Sequence, residues 1–250
     1  MPVRQGKYTF SLISKPGIKG YASVVGKKEG EGPLKNKFDK VFEDGTVGEK
    51  SWEKAESYIH GEAVTRAIGK SGLSAGDIDI IFAGDLLNQC MGTTFGIKEL
   101  GIPFAGLYGA CSTMALSMAA ASLFIDSKIV SKAVASTSSH FCSAEKQFRM
   151  PLEYGGQRTP TSQWTATAAG AVVISDEKTE VCVDKVIIGR IQDYGIKDAN
   201  NMGAAMAPVD VKLTPCPILY GARLSYKKSG QEVNMQDMSG ISFFRIVYDQ

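Results

Sequence analysis

The sequence predicts an α/β protein in which a mostly parallel sheet is layered between helices. Three observations lead there: short apolar runs at 79–84, 103–108 and 132–137, a helical stretch between the second and third of them, and connections short enough to keep neighbours adjacent. A chain of 250 residues is long enough to bury an ordinary core.

The first clear element is a helix over 51–70. Trp52, Ala55, Ile59, Ala63 and Ala67 recur at three- and four-residue steps, Ser51 is placed to cap the start, and Gly69 and Gly72 mark the end. His60 lies beside that stripe and is expected at the surface or its boundary. The run Asp79-Ile80-Ile81-Phe82-Ala83-Gly84 has the continuous apolar character of a buried parallel strand. A second strand fits 103–108, and a helix then starts near Cys111 with the apolar stretch MALSMAAASLFI. Residues 132–137 read as a third strand. From 148 to 167 the chain is polar and rich in Pro, Gly, Thr and Gln, an irregular excursion of a length that often carries function. Further strands fit 170–174 and 181–191. Beyond Pro208 no period is sustained, and Pro215, Pro217, Gly221, Gly230 and Gly240 interrupt the chain.

Composition narrows the class. With 44% hydrophobic residues, 22% charged residues and a net charge of +2, no nucleic-acid partner is indicated. Cys90, Cys111, Cys142, Cys182 and Cys216 are widely and irregularly spaced, without a CxxC pair or a zinc-type cluster, and read as free thiols in a reducing compartment. No metal site is expected. No apolar run is long enough to span a bilayer, and MPVRQGKYTF is unlike a signal peptide, so the protein is expected to be soluble or at most peripheral to a membrane.

Polar groups stand directly after three of the strands. In Gly109-Ala110-Cys111-Ser112-Thr113 a thiol sits where a loop becomes a helix, and the unpaired N–H groups and dipole of a helix start favour a thiolate; a buried, inert thiol is the alternative. In Ala135-Ser136-Thr137-Ser138-Ser139-His140 a strand ends in hydroxyls and an imidazole, where open α/β sheets gather ligands, although a lone histidine there also serves structure. In Gly84-Asp85-Leu86-Leu87-Asn88-Gln89 a carboxylate and two amides follow a strand, and Asp85 serves equally well as the cap of a turn. Glu145, Lys146, Arg149, Glu153 and Arg158 flank the excursion, and the guanidinium of Arg149 is the best suited to an anion.

These segments, together with Phe104, Ala144-Glu145-Lys146-Gln147-Phe148-Arg149, Glu153-Tyr154-Gly155-Gly156-Gln157 and Asn201-Met202-Gly203-Ala204-Ala205-Met206-Ala207-Pro208, resemble in order and spacing the stage V sporulation protein AD family. The likeness covers roughly the first four fifths of the chain. It implies a thiolase-like fold of two similar halves. The chain is then expected to hold the N-terminal half over 1–208, with the second half absent and an unrelated tail over 209–250, either frameshifted or poorly ordered.

The resemblance further implies non-enzymatic binding of dipicolinic acid, pyridine-2,6-dicarboxylate, free or as its calcium chelate. The setting would be uptake into the forming spore, within the stage V sporulation A complex peripheral to the inner spore membrane after synthesis in the forespore cytoplasm. No cofactor is implied, calcium entering only with the ligand, and a homodimer is compatible. Cys111 matches the thiolase nucleophile, and Asp85, Ser139 and His140 match polar positions around the family's ligand pocket; Ser138 and Arg149 complete the expected binding set. His60 and His140, the two histidines, do not stand in the Gly-His-Pro setting of true thiolases. A carboxylate of the ligand could rest at the start of the Cys111 helix with Arg149 serving the other, while Asp85 would need a proton or a shared calcium ion. The alternatives are a thiolase-type acyltransferase using Cys111 and a truncated half-protein without function.

Overall fold

The computed structural model describes residues 1–148, 165–189, 195, 220–228 and 231–234. Strands β1 (Val3–Gln5), β2 (Thr9–Ser11) and β3 (Gly17–Val25) are followed by a short helix α1 (Lys27–Gly30), β4 (Lys40–Val41) and the long helix α2 (Trp52–Lys70). Then come β5 (Ile80–Gly84), α3 (Met91–Ile97), β6 (Phe104–Gly106), α4 (Thr113–Asp126), β7 (Lys132–Ser139), α5 (Phe141–Phe148), β8 (Ala168–Ser175) and β9 (Val181–Ile188). Tyr220–Lys228 forms β10 and Gln231–Asn234 forms β11, both in the segment set apart beyond 208.

One sheet runs in the order β1-β2-β9-β3-β8-β7-β5-β6, with β4 beside β3 and the β10–β11 ribbon attached to β9. β5 pairs in parallel with both β6 and β7, as expected for strands joined by helical crossovers. Elsewhere the expectation of a mostly parallel sheet is corrected. β8 runs antiparallel to both β7 and β3, and β9 is antiparallel to β2, β3 and β10. A continuous apolar run marks a strand buried on both faces, and that burial does not depend on the direction of its neighbours.

Burial on both faces follows from side-chain alternation along each strand. Ile81 and Ala83, Val134, and Ala171 and Val173 face α2, whose Ile59, Ala63, Val64 and Ala67 close one core. Phe82, Ala133 and Ala135, and Val172 and Ile174 face the other way, onto Met118, Ala119, Ala121 and Ile125 of α4. The molecule is thus a helix–sheet–helix sandwich, the α/β class that the sequence predicts. Ser51 caps α2 by accepting from the backbone N–H of Lys54 at 3.3 Å, and the small alanines of its stripe let the helix lie close on the sheet.

The β5–α3–β6 connection and the β6–α4–β7 connection lie on opposite faces, so β6 and β7 flank β5 on its two sides. Their carboxyl ends therefore converge at one edge of the sheet, with Asp85, the Gly109–Thr113 turn and Ser139-His140 just beyond them. Gly84 is what allows this approach, because a Cβ there would overlap the carbonyl of Leu107 in the chain leaving β6.

Candidate functional site

After β5, the carboxylate of Asp85 is fully buried and accepts three hydrogen bonds. Its Oδ1 accepts from the N–H of Leu87 at 2.7 Å, and its Oδ2 accepts from both the N–H and the hydroxyl of Thr93 at 2.6 Å. Thr93 is the third residue of α3, so Asp85 satisfies one of the orphan donors of that helix and places negative charge at its positive end. The loop between them holds two consecutive non-glycine residues in the left-handed region, Gln89 at φ 61° and Cys90 at φ 52°.

After β6, the turn before α4 is held by its own hydroxyls. Ser112 Oγ donates to the carbonyl of Gly109 at 2.7 Å, and Thr113 Oγ1 donates to the carbonyl of Ala110 at 2.7 Å while accepting from the N–H of Gly109 at 3.2 Å. Ala110 has φ 46°, a third strained position, and strain of this kind persists only where the surroundings fix it. With its neighbours tied inward, Cys111 stands exposed in the single turn that precedes α4, while Cys90 is buried in the adjacent loop.

After β7, the candidate residues point into the molecule. Ser138 Oγ donates to Glu56 Oε1 at 3.1 Å, and Ser139 Oγ donates to the carbonyl of Ala166 at 2.6 Å. His140 is buried; its Nε2 donates to the carbonyl of Gly45 at 2.7 Å and its Nδ1 accepts from the N–H of Cys142 at 3.2 Å. That pairing assigns the neutral Nε2–H tautomer. The ring packs between Trp52 and Phe141, with centroids at 5.3 and 4.9 Å, and burial pushes its pKa below the usual histidine range. The loop that His140 grips is itself braced: Asp44 Oδ1 accepts from the N–H and hydroxyl of Thr46 and from the N–H of Val47, each at 2.7 Å. Arg149 lies outside the described residues.

Sequence reasoning missed the polar groups beneath this edge. Glu56 and His60, one turn apart on α2, are both fully buried, which corrects the surface or boundary position expected for His60. His60 Nδ1 lies 2.9 Å from Ser138 Oγ, and Nε2 lies 2.9 Å from Ser136 Oγ. Because the Ser138 hydroxyl donates to Glu56, it accepts from Nδ1–H, and the Ser136 hydroxyl then donates to Nε2. Glu56 Oε2 accepts from the Ser143 hydroxyl of α5 at 2.5 Å. Thr93 Oγ1, 3.5 Å from His60 Nδ1, brings the Asp85 group to the edge of the same cluster. Burial is the main reason that His60 is lowered to about 3 and Glu56 is raised to about 7, with the charge of Asp85 adding to the latter. The available signal was spacing: Glu56 and His60 continue the buried face of α2 set by Trp52, Ile59 and Ala63.

Among the described residues, no cluster of three or more His, Cys, Asp or Glu side chains is arranged to hold a metal ion. No described helix is long and apolar enough to cross a membrane.

The model of the stage V sporulation protein AD family matches residues 6–215. The chain belongs to the stage V sporulation protein AD family. Stage V sporulation protein AD of Bacillus subtilis (strain 168) is 41% identical over 203 residues, which are 81% of this chain and 60% of that protein. The chain thus spans about three fifths of the length of that relative. Solved structures similar to it include 3-oxoacyl-[acyl-carrier-protein] synthase III from Aquifex aeolicus, at 16% identity, 67% of this chain, 56% of that chain and a TM-score of 0.47. A priming β-ketosynthase of a polyketide biosynthetic pathway matches at 12% identity, 74% of this chain, 56% of that chain and a TM-score of 0.42. In this family setting, the edge that carries Asp85, Cys111 and His140 remains the candidate site.

Proposed function

We propose that this member of the stage V sporulation protein AD family is a binding protein and not an enzyme. Its ligand is dipicolinic acid, pyridine-2,6-dicarboxylate, free or as the calcium chelate, taken up into the developing spore. It acts with other proteins of the stage V sporulation A complex, peripheral to the inner spore membrane, after synthesis in the forespore cytoplasm.

The observation that carries the non-enzymatic reading is the engagement of both imidazoles. Covalent catalysis by a thiol requires a base to take its proton, followed by a group to move a proton on the substrate. His60 and His140 are buried, and every ring nitrogen of both already has a partner within the fold. Cys111 is exposed at the same edge without an imidazole of this chain available to it. An anion at the turn before α4 would instead be held by backbone N–H groups, where an acyltransferase would place its oxyanion.

Calorimetric titration of the chain with dipicolinate, with and without calcium, tests the reading, and binding in either form supports it. If calcium leaves the affinity unchanged in both the native chain and Asp85→Ala, calcium does not act through Asp85. Intact-mass measurement after incubation with acyl-coenzyme A addresses the alternative; an acyl adduct on Cys111 would establish a thiolase-type acyltransferase in place of a binding protein.

A further inference from the structure

Glu56 is a carboxylate buried beneath the candidate edge whose hydrogen bonds admit two arrangements. In the first it is ionised, with Ser138 donating to Oε1 at 3.1 Å and Ser143 donating to Oε2 at 2.5 Å. A second acceptor for the Ser143 hydroxyl is already in place, since its Oγ lies 3.5 Å from the carbonyl of His140. That carbonyl also accepts from the N–H of Ala144 at 3.0 Å and so belongs to the first turn of α5.

The charged surroundings favour uptake of a proton. Among the described residues, the ionisable groups that act on Glu56 are Asp85, which follows β5, and Glu53, on its own helix; both are acidic and raise its proton affinity. His60, on the same helix, stays neutral because burial disfavours its charged form. Glu56 and Asp85 both lie against Gly92, where an added Cβ would be 3.4 Å from the carboxyl carbon of Glu56 and 3.3 Å from that of Asp85. Two carboxylates this close in a buried setting are stabilised when one takes a proton.

We propose that Glu56 is a proton switch read at the start of α5: ionised, it accepts from Ser143; protonated on Oε2, it donates to Ser143, whose hydroxyl turns to the carbonyl of His140. One proton is taken from solvent, one O–H bond forms on Glu56, and no other covalent bond changes. Ser138 continues to donate to Oε1, so His60 keeps its proton on Nδ1. Because α5 follows directly from Ser139-His140, the proton alters the hydrogen bonding of the chain leaving the candidate edge. The switch is a property of the fold and does not require that the ligand be dipicolinate.

The test is carbon-13 and nitrogen-15 NMR of the full chain, following the Glu56 carboxyl and the Ser143 and Ala144 amides from about pH 5 to about pH 9. The expected result is one shared midpoint near neutrality for all three, with the amide titration lost in Glu56→Gln. In Ser143→Ala the carboxyl should titrate at higher pH, because a donor to the ionised form is gone, and Ala144 should no longer follow it. Titration of Glu56 in the ordinary carboxylate range, amides that stay silent while it titrates, or an unchanged amide titration in Glu56→Gln would overturn the proposal.

Discussion

The Nδ1 of His60 lies 2.9 Å from the hydroxyl of Ser138, which fastens the middle of α2 to the strand that runs into the candidate edge. The same hydroxyl donates to Glu56, so one serine joins a base and an acid that burial shifts in opposite directions.

Those shifts set opposite pH dependences of stability. Glu56 has a folded pKa near 7 against 4.5 for the free side chain, so the folded state holds its proton more tightly; its contribution is full below 4.5 and is lost as the pH rises through about 7. His60 has a folded value near 3 against 6.5, so its contribution is full above 6.5 and is lost as the pH falls toward 3. In the window where both titrate the two slopes oppose each other. Urea denaturation should therefore show Glu56→Gln gaining on the native chain as the pH rises between 4.5 and 7, by up to about 1.4 kcal/mol per pH unit. His60→Gln should fall behind the native chain as the pH rises from about 3 to 6.5, the window over which the native chain gains stability from His60. Parallel pH profiles for all three proteins would contradict this assignment.

Helices α2 and α3 cross where glycines face each other. A Cβ on Gly61 would overlap the carbonyl of Gly96, and one on Gly96 would overlap the carbonyl of Ser57. Gly61→Ala should push α3, and with it the Thr93 donors of Asp85, away from α2, at a cost of about 1–3 kcal/mol. Gly69 is the internal control: it lies in the same helix with nothing within 4 Å of an added Cβ, so Gly69→Ala should stabilise by about 0.4–1 kcal/mol. Thermal melts of the two variants should move in opposite directions.

The strand ends were legible because each apolar run stops abruptly at a polar group, and the helix over 51–70 was legible because its period and its cap agree. β3 escaped notice. Its residues Gly17, Lys19, Gly20 and Ser23 break the apolar run, and its extended form is secured by pairing with β8 along most of its length. The direction of β8 is likewise a tertiary property, since nothing in AAGAVVIS distinguishes an antiparallel neighbour from a parallel one. Glu56 and His60 were missed for a related reason. A charged residue on the buried face of a helix is read as solvated until the serines that satisfy it, 82 and 78 residues away, are brought alongside by the fold.

Asp85 supplies a test that separates holding the fold from holding a ligand. Three donors converge on its two oxygens, so Asp85→Asn turns an amide N–H₂ toward at least one N–H and leaves a buried donor without an acceptor. The expected cost is roughly 2–3 kcal/mol in stability. Temperature and urea should be chosen so that the variant stays folded before its dipicolinate affinity is compared with that of the native chain. A stability loss with unchanged affinity assigns Asp85 to the α3 start alone; a loss of affinity in the folded variant makes it part of the site.

Cys111 and Cys90, on the loops that follow β6 and β5, should differ sharply toward an alkylating reagent. Cys111 is exposed, its turn held away from it by the Ser112 and Thr113 hydroxyls, whereas Cys90 is buried behind the chain leaving β6, with its thiol donating to the carbonyl of Leu107 at 3.5 Å. Burial and the charge of Asp85 raise the pKa of Cys90, which reduces its reactive thiolate fraction as well as its access. Iodoacetamide on the native chain, followed by peptide mass mapping, should modify Cys111 faster than Cys90, whose burial limits the access of the reagent and whose raised pKa lowers its thiolate fraction. Dipicolinate should slow the Cys111 reaction if the ligand rests on the turn before α4 and leave Cys90 unaffected. Equal rates for the two thiols in the native chain would mean that the β5–α3 loop opens as readily as the exposed turn, and the strained residues Gln89 and Cys90 would then mark a mobile flap instead of a fixed wall.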